Sequence, residues 1–432
     1  MRTLYSLLWW LALPIVLMRL WWRGLREPGY RRHWGERLGF YGASPTSGRQ
    51  PVIWVHAVSV GETRAAEPLI DALLQAYPEH VILLTHMTPT GRATGQALFT
   101  TYAPRVQQCY LPYDIGVMVR RFLDHFHPSL CVLIETEVWP NVMAQCARHR
   151  VPVVLVNARL SERSLAKGKR MAALMTEAAQ ALDCVAAQTG ADADRLAQLG
   201  ARNVQVTGSI KFDVTPPTEA LVAGAELRRQ FGRRRVLLCA STRDGEEALI
   251  LDALARTHAG DILLILVPRH PQRFDEVARM LAGRGVSMAR RSALNGTQLA
   301  DNVQVLLGDS MGEMFAYYAA CDVAFIGGSL LPLGGQNLIE ACALGKPVLL
   351  GPHTFNFAAA SEDAIAAGAA LRVTDADAML HAALRLLHAD GERVAMGNSA
   401  LDFAEQHRGA AQRTMALLHP YLSSEELAGV SN

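Results

Sequence analysis

Paired cysteine spacing is missing from this chain. Its seven cysteines stand singly among 432 residues, which excludes C-x-x-C zinc and redox sites. His/Glu or Asp-rich clusters with metal-ligand spacing are also missing, so no metal and no other cofactor is expected. Charge of one sign is scarce. Lys and Arg total 42 against 40 Asp and Glu, a formal +2, which gives no general argument for nucleic acid as a partner. No short repeat and no low-complexity region is present, which excludes a solenoid. Small residues that would precede a signal-peptide cut are lacking after the first apolar run, where Trp21, Trp22 and Arg23 stand instead.

What is present begins with that run. Leu4 to Trp22 is apolar except for Ser6 and Arg19, and contains Pro14. At about 19 residues it is near the minimum for a spanning helix. Trp9, Trp10, Trp21 and Trp22 suit a membrane–water interface. We read an uncleaved anchor over residues 1–37, with a basic collar of Arg19, Arg23, Arg26, Arg31, Arg32 and Arg37. Those arginines favour a cytoplasmic body and can hold anionic lipid headgroups. A buried helix of a soluble protein is the alternative. Whether the helix crosses the bilayer or lies in one leaflet stays open. Cys131, Cys184, Cys239, Cys321 and Cys342 sit in apolar runs as core fillers, which fits a reducing compartment.

Half of all residues are hydrophobic, and the length suits roughly two to three domains. From Pro51 onward, short apolar runs alternate with helical patterns. Val52–Val55, Val81–Leu84, Val106–Tyr110, Leu130–Ile134, Val153–Val156, Cys184–Ala187 and Val204–Val206 read as strands. So do Val236–Ala240, Ile262–Val267, Val303–Leu306, Val323–Ile326 and Pro347–Leu350. Helical patterns lie between them, among them Glu67–Gln75, Glu246–Arg256, Phe274–Gly283 and Gln336–Ala343. A long one, about Leu401 to Tyr421, ends the chain. Near-continuous apolar strands separated by helices imply parallel sheets covered on both faces. Pro216 and Pro217 in a polar stretch mark a linker. The expected fold is therefore α/β: two Rossmann-like, doubly wound domains, residues 38–214 and 219–432, facing each other across a cleft. The final helix is assigned to the second.

In such sheets ligands sit beyond the carboxyl ends of the strands. Glu62 follows the first strand at a helix start. It is either a general base or a partner of the helix dipole. Glu135 and Glu137 follow the fourth strand, where two acids are costly to desolvate unless paired or used. Lys211 follows the seventh and can reach an anion. In the second half, Pro268 and Pro271 stiffen the turn that carries Arg269, which can bind a phosphate with two hydrogen bonds. Met311, Gly312 and Glu313 lie in a Gly-containing loop. Gly334 to Leu344 is a glycine loop opening a helix, suited to a nucleotide phosphate, with Glu340 placed for a sugar hydroxyl. A simple glycine turn with a dipole-complementing Glu is the alternative there.

Taken together, these stretches resemble the Kdo transferases, which place 3-deoxy-D-manno-octulosonic acid (Kdo) on the lipid A precursor. The resemblance covers almost the whole chain, anchor included. It rests on WVHAVSVGE (Trp54–Glu62), ETEVWPN (Glu135–Asn141), GSIKFD (Gly208–Asp213), VPRHPQRF (Val267–Phe274), GDSMGEM (Gly308–Met314) and GGQNLIEACALGKPVLLGP (Gly334–Pro352). The last is the least specific, with relatives across glycosyltransferases of the two-domain GT-B type. The resemblance implies a GT-B fold with the acceptor bound by the first half and CMP-Kdo by the second. It implies Glu62 as catalytic base, with Glu135 and Lys211 stabilising the transition state. Pro268, Arg269, Met311, Gly312, Glu313, Asn337, Leu338, Ile339 and Glu340 become CMP contacts. It further implies inversion, no bound metal, lipid IVA as acceptor, and a place on the cytoplasmic face of the inner membrane. Two rival readings remain: a GT-B enzyme using a UDP-sugar, and an exported two-lobed solute-binding protein.

Overall fold

The computed structural model describes residues 1–42, 50–257, 262–294 and 296–423. The chain divides into two compact units: Met1–Asp213 together with Gly409–Asn432, and Val214–Arg408.

The first unit holds seven strands: β1 (Val52–His56), β2 (Val81–His86), β3 (Val106–Tyr110), β4 (Pro128–Ile134), β5 (Val153–Ala158), β6 (Cys184–Ala187) and β7 (Val204–Val206). Their order is β3-β2-β1-β4-β5-β6-β7, and every pairing is parallel. Each residue of β1, β2 and β5 is buried. That is why these strands read as continuous apolar runs rather than as an alternation. One face packs Trp54, Leu83 and Phe122 together. The other packs Ile53, Val55 and Leu69 with Leu418 and Leu422. A first helix, α1 (Arg2–Arg26), precedes the sheet and is long and apolar enough to cross a membrane.

The second unit repeats the plan with β8 (Arg235–Thr242), β9 (Ile262–Pro268), β10 (Met288–Arg290), β11 (Val305–Leu307), β12 (Val323–Ile326), β13 (Val348–Leu350) and β14 (Ala370–Arg372). Their order is β10-β11-β9-β8-β12-β13-β14, again all parallel. Its core gathers Leu237, Cys239, Leu264, Val277, Phe325 and Met379. All seven cysteines are buried and unpaired.

Three expectations need correction. The long final helix is two helices, Asp390–Gln406 and Ala410–Leu422, broken at Gly409, whose φ is 86°. The second of these belongs to the first unit, not to the second. Its start is tied there by Asp213, whose carboxylate accepts the N–H groups of Gly409 and Ala411. The helix after the glycine loop spans only Ile339–Ala343. Two short strands, β10 and β14, carry no apolar run and were not expected.

Candidate active site

In the first sheet the strand order reverses between β1 and β4, and ligands of open α/β sheets bind at such a reversal. Glu62 follows β1 and Glu135 follows β4, so the fold places both there. The chain leaves β1 through Ala57, Val58 and Ser59 into the helix Val60–Ala76, with Glu62 in its first turn. Glu62 Oε2 accepts the Val58 N–H at 2.7 Å, and Oε1 accepts the Ser59 hydroxyl at 3.0 Å. This resembles a capping box and fixes the carboxylate in place. Burial raises its pKa to about 7, helped by Glu137 and Glu135, while the bonds from Val58 and Ser59 pull the other way. A carboxylate poised there titrates where a general base is most useful.

Glu135 is held differently. Its φ is 64°, in the left-handed region, a strain that costs about 1–3 kcal/mol in a non-glycine residue. The side chain is buried, with Lys211 Nζ 2.7 Å from Oε1 and Arg159 Nε 3.0 Å from Oε2. Two cations offset the desolvation that one buried carboxylate would otherwise suffer. Lys211 rides on the short turn Ile210–Asp213. That turn is fixed by the Ile210 N–H on Asn157 Oδ1 at 3.2 Å. Glu137 accepts the Trp139 indole N–H at 2.8 Å, and burial raises its pKa.

Two neutral histidines lie beneath this loop. His56 is fully buried, bonded through Nδ1 to Thr85 Oγ1 at 2.8 Å, with its ring edge-on to Trp139. Burial, with His86 beside it, lowers its pKa to about 3. His86 Nδ1 donates to Ala57 O at 2.9 Å and so braces the turn that leads to Glu62. Burial lowers its pKa to about 4.

In the second sheet the order reverses between β8 and β12. Glu246 there is fully buried. Its two oxygens accept the backbone N–H groups of Arg243 at 2.9 Å, Gly328 at 2.6 Å and Leu330 at 2.9 Å. Glu247 takes the Thr242 hydroxyl at 2.8 Å and Arg273 Nη1 at 2.7 Å. Together they fix the loops after β8 and β12. Pro268 ends β9 and is buried. Arg269 then donates its N–H to Thr242 O at 2.9 Å and its Nε–H to Gln336 Oε1 at 3.3 Å. That contact joins Arg269 to the glycine loop. A Cβ on Gly334 would lie 2.3 Å from the Asn356 amide, so the loop needs glycine at this point. Asn337 accepts the Ile339 N–H at 3.0 Å and donates to Glu340 Oε1 at 3.1 Å.

The structure therefore brings Glu62, Glu135 and Lys211 to one sheet end, and links Arg269, in the turn after β9, through Gln336 to the loop of Asn337, with Glu340 in the short helix that follows. Lys211 is engaged by Glu135 rather than held out for an anion. Leu338 and Ile339 are buried, so only their backbone can face a ligand. The helix after the loop is a little over one turn long. Met311, Gly312 and Glu313 follow β11, and Glu313 pairs with Arg291 Nη2 at 2.6 Å. Sequence reasoning missed Arg159, although it stands just beyond β5, where the strand-end rule would have found it. It also missed Glu246, which reads as an ordinary first-turn acid.

Residues 32–214 match the family described as 3-deoxy-D-manno-octulosonic-acid transferase (kdotransferase), and residues 243–403 match glycosyl transferases group 1. A 3-deoxy-D-manno-octulosonic acid transferase of Bordetella pertussis is 46% identical over 95% of this chain and 96% of its own length. One from Haemophilus influenzae is 38% identical over 98% of this chain and 99% of its own. Among solved structures, UDP-GlcNAc 2-epimerase from Neisseria meningitidis superposes with a TM-score of 0.58 at 15% identity, over 86% of this chain and 100% of its own length. That likeness shows the two-domain GT-B fold alone. With the family match and the relatives in agreement, the chain belongs to the 3-deoxy-D-manno-octulosonic acid transferase family and is a glycosyltransferase.

Proposed function

We propose that this enzyme moves Kdo from CMP-Kdo to a sugar hydroxyl of the lipid A precursor lipid IVA, with inversion and with Glu62 as general base. The observation that carries this reading is the Glu62 carboxylate, fixed by Val58 and Ser59 yet raised to about 7 by burial. In the proposed step Glu62 takes the proton of the acceptor hydroxyl. The hydroxyl oxygen forms a bond to the anomeric carbon of Kdo, the bond from that carbon to the CMP phosphate breaks, and CMP departs with the electron pair. A single displacement of this kind inverts the anomeric centre.

Negative charge grows on the leaving phosphate. Arg269 and the amides of the loop around Gly334 to Asn337 stabilise it. Asn337 and Glu340 take the ribose hydroxyls, and the Met311–Glu313 turn takes the rest of the nucleotide. Glu135, clamped by Lys211 and Arg159, holds a negative potential beside Glu62 that raises its basicity. The enzyme works on the cytoplasmic face of the inner membrane, held there by α1 and its arginines on anionic lipid. Incubation with CMP-Kdo and a tetra-acylated lipid A precursor, followed by product mass, tests the reading. A gain of one or more Kdo masses is expected, and protection against heating by CMP but not by UDP. An unchanged acceptor, or preference for UDP, would overturn it.

A further inference from the structure

The contacts of α1 place its two ends on the same globular unit. Near its start, Arg2 Nη1 meets Glu177 Oε1 at 2.8 Å, and Tyr5 Oη donates to Asp114 Oδ2 at 2.9 Å. Ser6 Oγ bonds Asn141 Oδ1 at 3.0 Å, and Trp9 stacks on Tyr113 at 5.9 Å. Near its end, Leu20 and Gly24 are buried, and Arg31 crosses so close that a Cβ on Gly24 would strike its side chain. The chain then doubles back at once. The Trp34 indole N–H donates to Tyr30 O, and the buried Arg37 guanidinium lies 3.9 Å from the Tyr110 ring centroid.

Those partners belong to a water-soluble sheet domain. Asp114 also accepts the N–H groups of Asn141 and Val142 at the start of the helix Pro140–His149. Glu177 lies on the helix Ala172–Gln180, whose Ala178 and Ala179 are in the sheet core. A spanning helix would put about 30 Å of hydrocarbon between Arg2 and Arg23. Glu177 and Asp114 cannot then follow Arg2 and Tyr5 to the far side without dragging the sheet into the bilayer.

The opposite face of α1 is a continuous exposed stripe: Leu4, Leu8, Leu11, Ile15, Met18, Trp22 and Leu25. The spacing alternates four and three, one side of a helix along its whole length. At one end the stripe is flanked by cations that lie against its aromatics, Arg26 over Trp22 and Arg31 over Trp21. Exposed Arg19 adjoins it. Apolar stripe, interfacial tryptophans and snorkelling arginines match one leaflet of an anionic bilayer.

Building on the membrane reading given above, we propose that α1 does not cross the bilayer but lies in its plane, docked on the first unit and inserted by its outer stripe into a single leaflet. Both ends of the helix then face the same compartment. Asn141, which receives Ser6, closes the loop that starts at Glu135. The acceptor-side loop is thereby held at the lipid surface, where an acylated substrate resides.

The test is cross-linking in native membranes. All seven cysteines are buried, so Arg2→Cys with Glu177→Cys can be bridged by a short bismaleimide with little background. The in-plane helix gives the intramolecular link in membrane-bound full-length enzyme. Absence of the link there, with the link present in detergent, means the helix spans and overturns the proposal. Leu8→Gln with Leu11→Gln and Ile15→Gln should lower sedimentation with anionic phospholipid vesicles at least tenfold while keeping the Arg2–Glu177 link. Unchanged sedimentation, or loss of a dimer instead, would assign the stripe to a second copy and overturn the choice of lipid. Wild-type enzyme found free of membranes would fail the membrane reading itself, and product formation from soluble acceptor would show the catalytic reading still standing.

Discussion

Each sheet sends its first strand through a loop into a helix, and each of those helices carries a glutamate in its first turn: Glu62 after β1, Glu246 after β8. The two occupy equivalent places in similar folds. Glu246 is given three backbone N–H groups and shares two with the loop after β12. Both of its oxygens are supplied with donors, and the side chain serves as a brace. Glu62 is given one N–H and one hydroxyl, with two further acids close by. Its charge is under-solvated and costs the folded state something. A buried acid that is fully satisfied builds structure, whereas one left short of donors has affinity for a proton. On the proposed reading, the first unit carries the base and the second the nucleotide contacts.

Glu62→Gln gives the largest expected effect. Gln keeps the Val58 N–H on its one oxygen and can donate its amide to Ser59 Oγ, but cannot take a proton, so kcat should fall by about 10²–10⁴-fold with KM for donor little changed. Near-normal kcat would remove Glu62 from the mechanism and leave Glu135 as the next candidate. Arg269→Ala should weaken CMP binding by about ten- to hundredfold, the worth of a charge-assisted hydrogen bond, in calorimetric titration. CMP affinity equal to wild type would move the donor site elsewhere. Glu246→Gln should do what Glu62→Gln does not. Its amide would face the Leu330 N–H, leaving a buried donor unmet, at roughly 1–3 kcal/mol of stability in urea melts. Turnover at saturating donor should hold. If instead turnover collapses with stability intact, the contrast between the two acids is lost.

The smallest effect is a pH slope. Glu62 has its folded pKa raised from 4.5 to about 7, so the folded state binds the proton more tightly than the unfolded chain. Its contribution is full below pH 4.5 and is lost as pH rises towards 7. Wild type should therefore lose on the order of 1–2 kcal/mol relative to Glu62→Gln across that window, after solvent screening. Paired chemical melts at pH 4.5 and 7.5 read the difference. The same group predicts that kcat/KM of wild type climbs with pH through about 7.

The sheets were legible because fully buried parallel strands leave apolar runs that need no alternation. Twelve predicted runs became strands within a residue or two, although β3 and β7 are only partly buried. β10 and β14 escaped because each is three residues long at a sheet edge, and Met288–Arg290 has no fully buried side chain. The break between the last two helices turns on Gly409, which a helical pattern alone tolerates. At the site, strand-end position pointed to Glu62, Glu135 and Lys211. Their mutual contacts were beyond reach, since Lys211 meets Glu135 across 76 positions of sequence. Glu246 shows the limit most plainly: nothing local separates it from Glu62, and only its distant donors at Gly328 and Leu330 do.

The return of Ala410–Leu422 to the first unit bears on how the chain is made. Leu418 and Leu422 complete the core in which Ile53 and Val55 of the sheet meet Leu69 of the helix Val60–Ala76, yet they are synthesised after the whole second unit. The second unit is continuous from Val214 to Arg408 and can complete its core as it emerges. The first unit, although translated earlier, must wait with an open apolar face until the final helix arrives. The order of birth and the order of completion are therefore reversed. A ribosome that stalls before Ala410 would leave a completed second unit tethered to a first unit whose Ile53 and Val55 face is still open.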